Sequence, residues 1–219
     1  MADVIYSQPM LLYLVRHGLT SITGKKLTGW MPGISLSDEG IAQARAAAER
    51  LADVDLSAVY SSPLERCVET AREVAVPRKM KVRTLPGVGE VRYGDWQGKT
   101  FVTLYKSRAW KELKARPADF RFPNGETIRE AQTRGMTTIE GLRGKHRGEA
   151  VLVCSHADLI RVVVAGYLGL PLDLYDRITI APASTTVLLL GDVPRLIKLG
   201  ETGDHTAEIK RLKASGAKR

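Results

Sequence analysis

The chain carries two short, uninterrupted apolar runs, Leu11–Val15 and Ala150–Cys154. Each stops at a polar residue followed by a histidine: Arg16-His17-Gly18 after the first, Ser155-His156 after the second. Apolar runs of this length, bounded by polar or turn-forming residues, read as strands buried on both faces, the situation of strands in a parallel sheet. Segments of helical period separate them. Ser37 stands at an N-cap position, and Ile41, Ala44, Ala48 and Leu51 follow at helical spacing. Ala58–Ser61 reads as another strand. In Ser62-Pro63-Leu64-Glu65, Ser62 is expected to cap a helix, Pro63 to take its first position and Glu65 to complete a capping box. Helices are expected over Phe101–Leu113, Thr127–Gly144 and Ala157–Leu168, the last ended by Gly169. Lys81–Leu85 is a weak strand, and Thr185–Leu190 and Arg195–Leu199 are late strands joined as a hairpin around Gly191-Asp192. Such alternation predicts an α/β fold, a three-layer α/β/α sandwich on a mostly parallel central sheet.

A length of 219 residues suits one domain with a sizeable core. We place it over 1–206, with an insertion around 93–126 covering one face and a basic, flexible tail over 207–219 that holds Lys210, Arg211, Lys213, Lys218 and Arg219. No apolar run approaches the ~20 residues of a membrane span, and Met1–Pro9 lacks the features of a secretory signal. Cys67 and Cys154 lie in apolar segments without the spacing of a zinc site, so two buried free thiols and a cytoplasmic location are expected. The net charge of +9 is spread along the chain. It points to attraction of small anions toward a cleft rather than to nucleic acid.

Three groups fall just after strands: His17, Arg66 in the first turn of the following helix, and His156. Ligands of open α/β sheets bind outside the carboxyl ends of the strands, so these residues can converge on one crevice. A phosphoryl group fits it. Arg16 and Arg66 are permanent guanidinium forks, and Arg66 lies near a helix N-terminus, where backbone N–H groups attract anions. A neutral imidazole is a competent nucleophile toward phosphorus. Gly18 is expected to spare an in-line approach from crowding.

The run Leu14-Val15-Arg16-His17-Gly18-Leu19-Thr20 resembles the signature of the histidine phosphatase superfamily, which includes the cofactor-dependent phosphoglycerate mutases. Ser61–Ala71, Gly89–Gly98 and Ser155–Arg161 resemble its further motifs, in order, so that the likeness runs from about Leu11 to Leu190. It implies the phosphoglycerate mutase-like fold. It also implies that His17 is the phosphorylated nucleophile, that Arg16, Arg66 and His156 bind the phosphoryl oxygens, and that Glu90 is the proton donor. One proton for the leaving group, with electrostatic stabilisation, is what phosphoryl transfer needs. Arg121–Glu126 resembles a family loop beside the site, which implies that Glu126 touches substrate. Thr20, Thr23 and Thr28 are candidates to line the phosphate loop, Thr23 among the substrate-binding residues. Asp158 is expected to cap a helix rather than serve as an alternative acid. Trp30, Trp96 and Trp110 are expected to pack, and His146 and His205 to take no part in catalysis.

The sequence departs from the mutase pattern. Thr23 replaces an Asn six residues after the nucleophile, Phe101 replaces a Lys about eleven residues after Glu90, and no adjacent Arg pair follows. The expectation is a phosphatase acting on a small phosphomonoester such as a sugar phosphate, suggested by the mixture of Trp96, Arg108, Trp110, Lys111, Arg121 and Phe122. A mutase and a non-catalytic phosphate-binding module are the alternatives. No metal and no cofactor are expected, because arginine and histidine supply the positive charge. Family analogy adds a homodimer.

Overall fold

A computed structural model describes residues 8–203; the tail over 207–219 and His205 lie outside them. The strands are β1 (Met10–Arg16), β2 (Leu56–Ser61), β3 (Val82–Thr84), β4 (Ala150–Ser155), β5 (Thr185–Leu190) and β6 (Arg195–Glu201). The helices are α1 (Asp38–Arg50), α2 (Glu65–Ala75), α3 (Phe101–Tyr105), α4 (Arg108–Ala115), α5 (Ile128–Lys145) and α6 (Ala157–Leu168). The six-stranded sheet runs β3-β2-β4-β1-β5-β6. Strands β3, β2, β4 and β1 are parallel, whereas β5 and β6 pair antiparallel, so the mostly parallel sheet and its late hairpin are both present.

Strand alternation sends two apolar sets to opposite faces, which is why the central strands read as continuous apolar runs. On one side Val15, Val59, Leu152 and Cys154 pack with Cys67, Ala71 and Val74 of α2 and with Leu51, just beyond α1. On the other, Leu12, Leu14, Tyr60, Val151 and Val153 pack with α5 and α6 through Ile128, Ile139, Leu159 and Val163. The three layers are therefore α1–α2, sheet, and α5–α6. No helix among the described residues is long and apolar enough to cross a membrane. Both cysteines are buried free thiols, and burial pushes the Cys154 thiol well above its ordinary range.

Local signals set most helix ends. Ser37 accepts from the Gly40 N–H at the start of α1, and Gly169 closes α6 in the left-handed region at φ 64°. Three expectations need correction. The helix expected over Phe101–Leu113 is two helices, because the Ser107 side chain accepts from the Trp110 N–H and starts α4 afresh. Helix α2 has no capping box: it begins at Glu65 with Leu64 as its N-cap and no side-chain bond there. Ser62 Oγ is engaged by His156 at 2.8 Å, and Glu65 Oε1 accepts from the Gly33 N–H at 2.9 Å. Asp158 does not cap α6, whose N-cap is His156; its carboxylate accepts from Tyr93 Oη and the Arg161 guanidinium, each at 2.7 Å.

Candidate active site

Because β2, β4 and β1 are neighbours, with Arg16 opposite Ser155 and Ser61 opposite Cys154, their carboxyl ends carry His17, His156 and the start of α2 side by side. A cavity of about 590 Å³ opens above them. Arg16, His17, Thr20, Thr23, Thr28 and Glu90 are among its lining residues. Arg66 and His156 have no exposed surface and stand behind His17 rather than in the lining.

The His17 backbone N–H donates to Ser155 O, pinning the imidazole to the end of β4. Its Nδ1 lies 2.7 Å from Gly18 O. A carbonyl only accepts, so Nδ1 carries the ring proton and Nε2 keeps its lone pair. Arg66 Nε donates to that Nε2 at 3.3 Å, and Arg66 NH2 donates to His156 Nδ1 at 3.2 Å and to Gly29 O at 2.8 Å. The Nε2–H of His156 is thereby directed to Ser62 Oγ. Burial, then the charges of Arg16 and Arg66, hold the His17 imidazole well below the usual histidine range. Burial, then Arg66, does the same for His156. Both rings are neutral at physiological pH. Arg66 NH1 is buried without a hydrogen-bond partner among the described residues.

Gly18 acts differently from the expectation. A Cβ there would stand 2.4 Å from Gly40 O, and one at Gly40 would stand 2.0 Å from Leu19 O. The two glycines let the start of α1 lie directly on the loop after β1; close backbone packing, not the approach of a substrate, requires them.

Glu90 is 8% exposed and lies in the loop after a short 3-10 turn, Pro86–Val88. Its Oε1 accepts from the Val91 N–H at 2.9 Å. Burial, followed by the negative charge of Asp158, pushes its carboxyl up to about 7, against the opposing pull of the Val91 N–H, Arg66 and Arg16. A carboxyl near 7 holds or yields a proton at neutral pH, which is what a general acid–base group needs.

The segment after Glu90 contributes Tyr93, Trp96, Phe101, Trp110, Lys114 and Phe122 to the lining, alongside Arg161, Tyr175 and Asp176. Trp96 stacks on Trp110 with ring centres 5.9 Å apart, and Phe122 meets Trp96 edge-on. Trp30 lies outside the lining and donates from Nε1 to Glu90 O at 2.5 Å. Arg108 and Arg121 point away, pairing with Glu112 and Glu130 at the surface, and Lys111 is absent from the lining. Glu126 does not line the cavity either: its carboxylate pairs with Arg134 at 2.6 Å and accepts from the Arg92 N–H at 2.9 Å. Its likeness to a family loop places it near the site in sequence, but the side chain turns to the back of the Glu90 loop. His146 bonds Tyr60 and Glu149, remote from the cavity. Sequence reasoning missed Lys114, Tyr175, Asp176 and Arg134. The Lys114–Asp176 ion pair joins α4 to a distant turn, and no local pattern announces it.

The family model of the histidine phosphatase superfamily (branch 1) matches residues 12–199. The chain is 34% identical over 164 residues to phosphoglycerate mutase-like protein 4 of Arabidopsis thaliana, covering 73% of this chain and 70% of that protein. It is 32% identical over 171 residues to a metal-independent phosphoserine phosphatase of Arabidopsis thaliana, covering 73% of this chain and 69% of that one. Among solved structures, Bacillus stearothermophilus YhfR matches with a TM-score of 0.82 at 26% identity, over 88% of this chain and 97% of the other. The chain belongs to the histidine phosphatase superfamily. It is a phosphatase of that type, a phosphoric monoester hydrolase.

Proposed function

We propose that this enzyme hydrolyses a small phosphomonoester, a sugar phosphate or a compound of similar size, through a phosphohistidine formed on Nε2 of His17. One observation carries the reading: a buried imidazole with an unprotonated Nε2 and a carboxyl raised to about 7 line the same cavity. Nε2 attacks phosphorus, the bond from phosphorus to the ester oxygen breaks, and Glu90 gives its proton to the departing alkoxide. The Glu90 carboxylate then takes a proton from water, whose oxygen attacks the phosphohistidine and releases inorganic phosphate and neutral His17. Arg16 and Arg66 neutralise the oxygens in transfer, Arg66 from a guanidinium whose Nε already donates to Nε2. His156 faces Arg66 and holds it against His17. The hydroxyls of Thr20 and Thr23, 2.9 Å apart, edge the loop beside the phosphate.

Hydrolysis rather than mutase transfer is supported by Phe101. An aromatic ring lines the cavity at the position where mutases carry a lysine, so residue 101 supplies no charge to hold a second phosphate. The segment over 93–126 contributes to the lining and is proposed to set specificity.

Two experiments test the reading. Purified enzyme is given 3-phosphoglycerate with and without 2,3-bisphosphoglycerate; phosphate release with little interconversion is expected, and rapid interconversion sinks the hydrolase assignment. A panel of phosphomonoesters assayed in chelator, with labelled phosphate mapped by mass spectrometry, should show undiminished turnover and label on His17. Inhibition by the chelator would remove the metal-free mechanism, and full activity in His17→Ala would remove the nucleophile.

A further inference from the structure

The loop that carries Glu90 belongs to no strand, and its backbone is held by side chains. Four consecutive carbonyls are engaged. Arg134 NH1, from α5, donates to Gly87 O at 2.9 Å and to Gly89 O at 3.1 Å. Arg134 NH2 donates to Glu90 O at 3.1 Å, where Trp30 Nε1 also donates. Ser155 Oγ donates to Val88 O at 2.7 Å. On the far side of Glu90, Glu126 Oε1 accepts from the Arg92 N–H, and the Glu126 N–H donates to Arg92 O at 3.0 Å. The two charged side chains meet at 2.6 Å, with exposures of only 20% for Arg134 and 11% for Glu126. A Cβ at Gly87 would stand 1.8 Å from Thr138 Oγ1 of α5, so the loop lies directly on the helix that supplies Arg134.

From this arrangement we infer that Arg134 and Glu126 are positioning residues, a clamp that fixes the backbone on both sides of Glu90 and thereby aims its carboxyl at the ester oxygen. The inference rests on Glu90 being the proton donor. The pair suits the task for an electrostatic reason. A lone guanidinium beside the donor would favour its ionised form and weaken it as an acid. The Glu126 carboxylate cancels that charge while the guanidinium fork still binds the carbonyls. Neither residue lines the cavity, and both hold the backbone that carries Glu90.

The test compares two esters in the full-length enzyme. Propyl phosphate has an alkoxide leaving group that needs a proton; 2,4-dinitrophenyl phosphate has a phenolate that leaves without one. Glu90→Gln is expected to cost about 10²-fold or more in kcat/KM on the propyl ester and little on the dinitrophenyl ester. Arg134→Gln and Glu126→Gln should show the same split at smaller size, about tenfold on the propyl ester alone, since they misplace the donor without removing it. A merely structural role would lower both activities together. If Arg134→Gln fails to fold, Glu126→Gln carries the test, because it keeps the packing but breaks the ion pair that holds Arg134 and cancels its charge beside the donor. Equal losses on both esters in Glu126→Gln, or no loss on either, overturns the clamp. Equal losses in Glu90→Gln would overturn the proton-donor assignment, and the clamp with it.

Discussion

Arg66 Nε points across 3.3 Å at Nε2 of His17, the ring nitrogen left without a proton by the bond from Nδ1–H to Gly18 O. The same guanidinium donates to Nδ1 of His156. Burial and this one cation together keep two imidazoles neutral, and in the proposed reaction the cation would stand beside the charge that develops on phosphorus.

Replacing that fork by a point charge should be severe. Arg66→Lys retains the charge but cannot bridge His17, His156 and Gly29 at once. A fall in kcat of about 10²–10³ is expected, comparable to removing a preorganised transition-state donor. Steady-state kinetics at saturating substrate measure it. A change under fivefold would show that charge alone suffices.

The pH profile follows from two opposite shifts. In the proposed mechanism Glu90 holds its proton in the first step, and burial and Asp158 push its carboxyl up to about 7. kcat/KM should therefore fall as pH rises through about 7. His17 must be neutral, and burial with Arg16 and Arg66 carries it well below its ordinary 6.5, so the imidazole imposes no acid limb near neutrality. In Glu90→Gln the alkaline limb should vanish from the residual activity. Persistence of that limb would assign it to another group.

The same carboxyl should destabilise the fold at high pH. Its folded value of about 7 lies above the ordinary 4.5, so the folded state binds the proton more tightly than the unfolded chain. Stability from this group is fully present below about 4.5 and is lost as pH rises through 7, by on the order of 3 kcal/mol. Glu90→Gln cannot ionise. It should be more stable than the wild type at pH 8 by that order and equal to it near pH 4, as thermal unfolding across pH would show. A pH-independent difference would contradict a raised carboxyl.

Gly40→Ala should damage the fold at the phosphate loop. Its Cβ would sit 2.0 Å from Leu19 O, and backbone cannot yield as a flexible side chain can. Roughly 1–3 kcal/mol of destabilisation is expected, at about 2–4 °C in Tm for each kcal/mol. Gly141→Ala, in α5 with nothing within 4 Å, should be neutral or stabilising by about 0.5–1 kcal/mol. Equal melting temperatures for the two variants would show that α1 and the loop separate readily.

What the sequence determined by itself is the framework. The runs Leu11–Val15 and Ala150–Cys154, the Ser37 cap and the Gly169 stop are legible because backbone periodicity and capping depend on neighbours along the chain. The order of the motifs also identified the family and placed His17, Arg66 and His156 after strands, which the sheet order then makes neighbours. Whom each polar side chain meets is settled in three dimensions. Ser62 reads as a helix cap until His156, 94 residues away, takes its hydroxyl. Asp158 reads as a cap until Tyr93 and Arg161 converge on it. Glu126 reads as a substrate contact until α5 brings Arg134 against it behind the Glu90 loop. A hydrogen bond between chain-distant groups leaves no periodic trace, and buried polar groups must find partners wherever packing delivers them. Helices and strands could therefore be read in advance, while the bond from His17 to Gly18 O, the burial of Glu90 and the Arg134–Glu126 pair behind it could not.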